Sequence, residues 1–290
     1  HGDQTVVSRP VKLAFGKAYP VRFQYGENGG GATMVASYSN DNGNTWSYFL
    51  DQYDNSEFKY ISAYAEGFLP FTSAYQLLAL DANTYVSGST WVDGLVNKTF
   101  TLYNNPTWSD TNGGQFRFES ASSQWANTDS FPALDSFSLQ GVFKLHSYPT
   151  PNSDERPCLI TEAWPGNGSK INYALGFINT YNRIDGGFFD LNSGYWNVAA
   201  IESPSTGTWV DYVVTFDGPN NTIKTYINGT LANSAYAAGT AGSDGAGINI
   251  AKRWDNADFL DCTIKAINIW NGVLTPQEIE SQHTPYNSLV

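Results

Sequence analysis

Two stretches of the chain gather side chains able to hold a ligand. The first, from Trp164 to Trp196, supplies Trp164, Tyr173, Tyr181, Asn182, Arg183, Asp185 and Trp196 amid Gly and Asn. The second, Lys252-Arg253-Trp254-Asp255-Asn256, sets a guanidinium, an indole and a carboxylate side by side. An aromatic ring stacks on the apolar face of a sugar, and Arg, Asn and Asp pair with its hydroxyls. The candidate carbohydrate-binding residues are therefore Trp164, Tyr181, Arg183, Trp196, Arg253, Trp254 and Asp255. A structural role competes at each position. Trp and Tyr are often half-buried with the polar tip bonded, and Arg253 and Asp255 can brace a loop.

Catalytic chemistry finds less support. A retaining glycosidase needs two carboxyl groups about 5–5.5 Å apart, and no Glu-x-Asp-x-x-Glu pattern occurs. Asp185 and Asp190 would fall on opposite faces of a strand, and Asp258 and Asp261 form at best a loop pair. There is no Gly-x-Ser-x-Gly elbow, and three histidines give little for a nucleophile–base pair. His1 offers an amine and an imidazole to copper. Such a brace needs a second histidine, however, and only His146 and His283 remain, so a processing scar is the simpler reading. The chain reads as a non-enzyme.

Composition narrows the partners. The 290 residues carry 15 Lys+Arg against 27 Asp+Glu, a net charge of −12, which gives no polybasic footprint for nucleic acid. A hydrophobic fraction of 41% with 15% aromatics is enough for a sizeable core. No apolar run reaches the roughly 18–20 residues of a membrane helix. Cys158 and Cys262 are too few for a disulfide framework, and two thiols or one bridge both remain open. No cationic and apolar leader precedes the chain, so it is not read as an intact secretory precursor.

The elements that must position these residues are β. Gly, Asn, Asp and Pro clusters punctuate short alternating runs. Tyr19 to Tyr25 alternates, with Val21, Phe23 and Tyr25 on one face. Trp209 to Phe216 puts Val210, Tyr212, Val214 and Phe216 on one face. It turns at Gly218-Pro219-Asn220-Asn221 into Ile223 to Ile227, which predicts a hairpin. Thr275-Pro276-Gln277-Glu278 is a capping box that predicts a short helix from Pro276 to about Gln282. Residues 1–72 read as a smaller β-rich segment and residues 73–290 as a larger all-β unit. Asn97, Asn167, Asn220 and Asn228 head N-x-Ser/Thr sequons, read as chance in an Asn-rich chain.

The larger unit resembles the concanavalin A-like, laminin-G-like jelly rolls. Tyr75 to Ala82 resembles their "LxLDA" strand, Ser89-Thr90-Trp91-Val92-Asp93 their "TTWxD" turn, and Phe100 to Trp108 their "GTLxNxPTF" stretch. Gly113 to Glu119 resembles "GGxxxFDG", with Glu119-Ser120 where Asp-Gly is usual. Phe137 to Phe143, the Trp209-to-Leu231 hairpin with its Asn228-Gly229 turn, and Ile264 to Ile279 follow in order. Trp91, Trp209 and Trp270 lie on these landmarks, which implies packing roles. Val11 to Glu27 resembles the closing strands of a protective-antigen-type sugar-binding module. The upstream aspartates of that family are missing, so no sugar site carries over, and the likeness implies a chain that continues N-terminally.

The resemblance implies an all-β fold: a concanavalin A-like jelly-roll β-sandwich with a smaller N-terminal β segment and one short C-terminal helix. This version looks like the copies in bacteriophage virion proteins. It implies a non-catalytic tail-fibre or capsid-surface protein on the virion surface. The expected partners are other virion proteins, host surface glycans and further copies of the chain, with neither nucleic acid nor membrane insertion. A cellular extracellular adhesin or lectin and a polysaccharide-active enzyme are the alternatives. Calcium is the cofactor the resemblance allows, with Asp41, Asp51, Asp54, Asp255 and Asp258 as loop oxygens. No EF-hand-type loop is visible, and no metal site is assigned.

Overall fold

Some outer strands alternate buried and accessible side chains while the central strands are buried at nearly every position, and the two sheets they form enclose one main apolar core. The structure is a computed structural model. It describes residues 37–38, 47–48, 74–95, 98–111, 113–148, 157–162, 173–178, 183–190, 196–239, 246–253 and 258–283. The Tyr19–Tyr25 and Val11–Glu27 readings lie outside these residues. The chain divides into two compact units, residues 1–68 and 69–290. In the first, β1 (Ser37–Tyr38) pairs antiparallel with β2 (Ser47–Tyr48).

The second unit is the sandwich. Its nine-stranded sheet, among the described residues, begins at one edge with β4 (Thr90–Val92), β5 (Thr99–Tyr103) and β8 (Trp125–Asn127). It continues through β18 (Ile248–Ile250), β10 (Cys158–Glu162), β11 (Tyr173–Ile178) and β12 (Arg183–Phe189). Both β13 (Trp196–Val198) and β14 (Ile201–Glu202) then pair with β12. The eight-stranded sheet runs β17 (Thr230–Tyr236), β16 (Thr222–Ile227), β15 (Trp209–Asp217), β9 (Phe137–Leu145), β19 (Cys262–Asn271), β7 (Gln115–Phe118) and β6 (Thr107–Ser109). Its eighth strand, β3 (Tyr75–Asp81), pairs with the C-terminal part of β19. All these pairings are antiparallel.

The expected hairpin forms between β15 and β16, and Val210, Tyr212, Val214 and Phe216 all face the core. Asn228 and Gly229 take φ of 49° and 78° at the next turn. That pair of left-handed residues matches the right-handed twist of a tight hairpin. Phe100, Leu102, Ile160, Leu175, Ile184 and Phe188 of one sheet join Phe116, Leu139, Phe143, Ile264 and Ile267 of the other in a single cluster. Each such side chain contributes about 1.5–3 kcal/mol by leaving water. The sheets approach closely at Gly141, where a Cβ would lie 2.3 Å from Leu159 Cδ2. Trp91, Trp209 and Trp270 are buried, as packing roles require. The Trp91 and Trp108 indoles donate to the carbonyls of Asp81 and Ala82, tying the early landmarks together. Cys158 and Cys262 are buried thiols on different sheets that form no disulfide with one another, and burial pushes the Cys262 thiol far up.

The capping box closes as expected. The Thr275 N–H donates to Glu278 Oε2 at 2.8 Å, and the Glu278 N–H returns to Thr275 Oγ1. Helix α1 (Pro276–His283) lies on the outer face of the eight-stranded sheet and buries Ile279 in a cluster with Val213, Tyr226, Trp270 and Leu274. A chain of buried amides runs beside that cluster. Gln76 Nε2 donates to Asn268 Oδ1, Asn268 Nδ2 to Gln140 Oε1, and Gln140 Nε2 to both oxygens of Asp211. His283 Nδ1 lies 3.0 Å from Asp211 Oδ2, so the helix is tied to four strands.

Burial raises the Asp211 carboxyl, against the opposing hydrogen bonds of Gln140 and His283. A raised carboxyl holds its proton more tightly folded than unfolded. Its stabilising contribution is therefore complete below the ordinary carboxylate pKa and is lost as pH rises through the folded value. The stability difference between the native protein and Asp211→Asn should fall with rising pH. Urea unfolding of both proteins across the acid-to-neutral range checks this, and a flat or rising difference contradicts it.

Candidate functional site

On the nine-stranded sheet, every second residue turns away from the core. The strand registers line up an outward row of small and polar residues. Thr90 lies opposite Thr101, Thr101 opposite Asn127, Asn127 opposite Asn249, and Asn249 opposite Thr161. Ala174, Gly187 and Val198 complete it. Asn127 Nδ2 donates to Asn249 Oδ1 at 3.0 Å, which fixes neighbouring amides in one orientation. The central members Thr161, Ala174 and Asn249 are buried, whereas Thr99, Thr101 and Tyr103 of β5 are exposed. The accessible part of the face is thus its β4–β5–β8 edge.

An aromatic stack stands at that edge. Tyr103 and Trp125 are opposite one another, with ring centroids 4.1 Å apart and planes 10° from parallel. The Lys252 ammonium lies 3.1 Å from the centre of the Trp125 indole. Lys252 follows β18, and β18 and β5 flank β8. An ammonium over an indole is attracted to the ring's negative face, so Trp125 is held by the lysine as well as by the tyrosine. Tyr103 is 38% exposed. The Leu102-to-Ser89 hydrogen bond continues the β4–β5 ladder and brings Gly88 beside Tyr103. Gly88 has no side chain, and among the described residues no atom stands within 4 Å of where one would begin.

The turn after Tyr103 is built to keep that ring in place. Asn104 and Asn105 both have positive φ, and Ser123 mirrors them before Trp125. Gln124 clasps the two turns together. Its Nε2 donates to the carbonyls of Asn104 and Asn105 at 3.1 Å each, and its Oε1 accepts the Glu119 N–H. Asn104 Nδ2 adds a bond to the Ser123 carbonyl.

Most of the residues singled out from sequence lie apart from this stack. Trp164, Tyr181, Trp254 and Asp255 lie outside the described residues. Arg183 is exposed on β12 and reaches the Ala200 carbonyl. The backbone of Trp196 pairs with Phe189, at the far end of β12 from Arg183, roughly 20 Å away at strand rise. Those two positions are therefore not brought together. Arg253 is bound to Asp258, with Nη1 2.6 Å from Oδ2, and this bracing is the structural role weighed against binding. Asp258 and Asp261 do not act as a pair: Asp258 holds Arg253 and Asp261 holds Arg117. Asp41, Asp51 and Asp54 lie outside the described residues. Among the described residues no group of three or more His, Cys, Asp or Glu is arranged to hold a metal ion. Sequence reasoning missed Tyr103 and Trp125. The available signal was a Tyr closing one short strand-like run and a Trp opening another.

Residues 143–280 match the model of the concanavalin A-like lectin/glucanases superfamily. The binding domain of botulinum neurotoxin serotype G is similar in structure, with a TM-score of 0.57 at 19% identity over 74% of this chain and 52% of that one. The serotype D binding domain gives 0.55 at 18%, over 72% and 51%. Trypanosoma rangeli sialidase gives 0.52 at 14%, over 74% and 33%. The chain thus spans about half the length of the toxin domains it matches, and the likeness shows the fold: a concanavalin A-like sandwich. No curated protein matches by sequence.

Replacing Gln124 by Ala strands the Glu119 N–H and two carbonyls. Urea unfolding should show a loss of about 1–3 kcal/mol. An unchanged midpoint would mean that the clasp holds nothing.

Proposed function

We propose that this chain is a non-catalytic structural protein of a bacteriophage virion surface, a tail-fibre or capsid-surface piece, whose sandwich recognises host glycans through Tyr103. The observation that carries the glycan reading is the part-exposed stack. Tyr103 is part exposed at an accessible sheet edge, with its ring stacked on Trp125, over which Lys252 lies. A preorganised ring loses little freedom when a sugar lands on it. Beside it, Thr99 and Thr101 supply hydroxyls on the same face. Concanavalin A-like folds carry both binding modules and enzymes, so function rests on the site. Here the outward row presents hydroxyls and amides where a glycosidase needs a carboxyl pair. Structural neighbours that are toxin binding domains and a sialidase support a surface that meets sugars. The virion setting rests on the ordered sequence landmarks.

A glycan array read with the native protein and with Tyr103→Ala tests this. The native protein should bind at least one glycan class, and Tyr103→Ala should weaken it about tenfold or more, as loss of a central aromatic anchor does. Binding that survives Tyr103→Ala undiminished sinks the site. Release of reducing ends from a bound polysaccharide would replace the reading with an enzyme.

A further inference from the structure

The accessible edge of the nine-stranded sheet is a patch with a long axis. Its outward residues fall in three short rows across β4, β5 and β8. Gly88, Tyr103 and Trp125 form the first, Thr90, Thr101 and Asn127 the second, and Val92 and Thr99 open the third. The Ser130–Ala246 bridge keeps the β8–β18 register beyond Asn127. Exposed Asp129 therefore follows Asn127 outward and completes the third row beside Thr99. Thr99 to Tyr103 covers about 13 Å along β5, and the three strands cover about 10 Å across. Across the sheet, the outward row becomes buried at Asn249 and Thr161. Along β5, every outward residue from Thr99 to Tyr103 is exposed.

The patch changes character along that axis. Tyr103 gives an aromatic platform at one end. Among the described residues, no hydrogen bond takes up the Thr99 or Thr101 hydroxyl in the middle. Asn127 Nδ2 is committed to the Ile248 carbonyl and to Asn249 Oδ1, which leaves its carbonyl oxygen as the acceptor it offers. At the far end Val92 is 41% exposed, turned outward because its neighbour Trp91 is in the core. The cations around the patch are engaged elsewhere. Lys98 Nζ donates to the Ser130 carbonyl at 2.7 Å, Lys252 is buried over Trp125, and Arg253 is ion-paired with Asp258. Among the described residues of the three rows, Asp129 is the one charged side chain, and its charge is negative.

We propose that this patch takes a linear, neutral oligosaccharide of about three pyranose units laid along β5, with a methyl-bearing unit, an N-acetyl or deoxy sugar, over Val92. The inference rests on the Tyr103 reading and names the class of sugar that reading leaves open. The first ring stacks on Tyr103, the second meets Thr101 and Asn127, and the third reaches Thr99, Asp129 and Val92. The Asp129 carboxylate accepts from a sugar hydroxyl, and such a charge-assisted bond is stronger than a neutral one. The same carboxylate repels uronates, sialates and sulfated sugars, and no cation of the patch is open to offset it. A chain laid along the strand keeps its full length on exposed residues, whereas one laid across the sheet meets the buried centre.

The test is calorimetric titration of the full chain with triacetylchitotriose, a linear rhamnose trisaccharide and trigalacturonate. At least one neutral trisaccharide should bind about tenfold more tightly than its own monosaccharide, and at least tenfold more tightly than trigalacturonate. Val92→Ser removes the apolar contact and should weaken that trisaccharide about fourfold. Thr101→Val removes a hydroxyl at nearly constant volume and should weaken it about fivefold. Trigalacturonate binding as tightly as the neutral chains, a monosaccharide binding as tightly as its trisaccharide, or no binding of either neutral trisaccharide would each overturn the proposal. In the first two cases, a loss of that binding in Tyr103→Ala would leave the Tyr103 site standing and strike only the ligand class. Binding undiminished by Tyr103→Ala would strike the site itself.

Discussion

The sandwich depends on one irregularity in one strand. β19 is a central strand of the eight-stranded sheet, paired along its length with β9 and on its other side with β7 and then β3. Its register shifts between Ile264 and Ala266, where Lys265 is the extra residue. A bulge reverses which residues face the core from that point on. Cys262 and Ile264 point inward before it, and Ile267 and Ile269 after it. With strict alternation, Asn268 and Trp270 would enter the core in place of two isoleucines. The bulge instead puts Thr263, Asn268 and Trp270 on one outer face.

Three consequences follow along that face. Trp270 meets Ile279 and Leu274, so helix α1 has something apolar to sit on. Asn268 becomes the middle link of the amide chain from Gln76 to His283. Such a buried network is stable only when every member is satisfied, and here each side-chain amide has a partner. Thr263 takes its place between Arg117 and Lys144. The helix dock is thus a product of this register shift. The opposite sheet needs no such device at its exposed edge, where β5 alternates without interruption and Tyr103 follows Thr99 and Thr101 outward.

Local signals were legible in sequence, and long-range ones were not. The Thr275–Glu278 box and the β15–β16 hairpin depend on residues a few positions apart, and both formed as expected. Trp91, Trp209 and Trp270 were assigned to packing from an ordered series of landmarks, and they are buried. The Tyr103–Trp125–Lys252 stack joins three strands, and only the β5–β8–β18 pairing brings it together. Arg183 and Trp196 show the opposite case. They are close in sequence, but antiparallel pairing sets Trp196 beside Phe189, so the intervening turn separates them. Arg253 and Asp258 show what charge alone does not reveal: the guanidinium is ion-paired within its own loop.

The central claim is that a sugar rests on Tyr103. A crystal structure of the full chain, soaked with an oligosaccharide it binds, tests this most directly. The account predicts a pyranose ring parallel to Tyr103, on the side away from Trp125, with its hydroxyls toward Thr101 and Thr99. A well-ordered sugar seated elsewhere, with the Tyr103 ring bare, would contradict it.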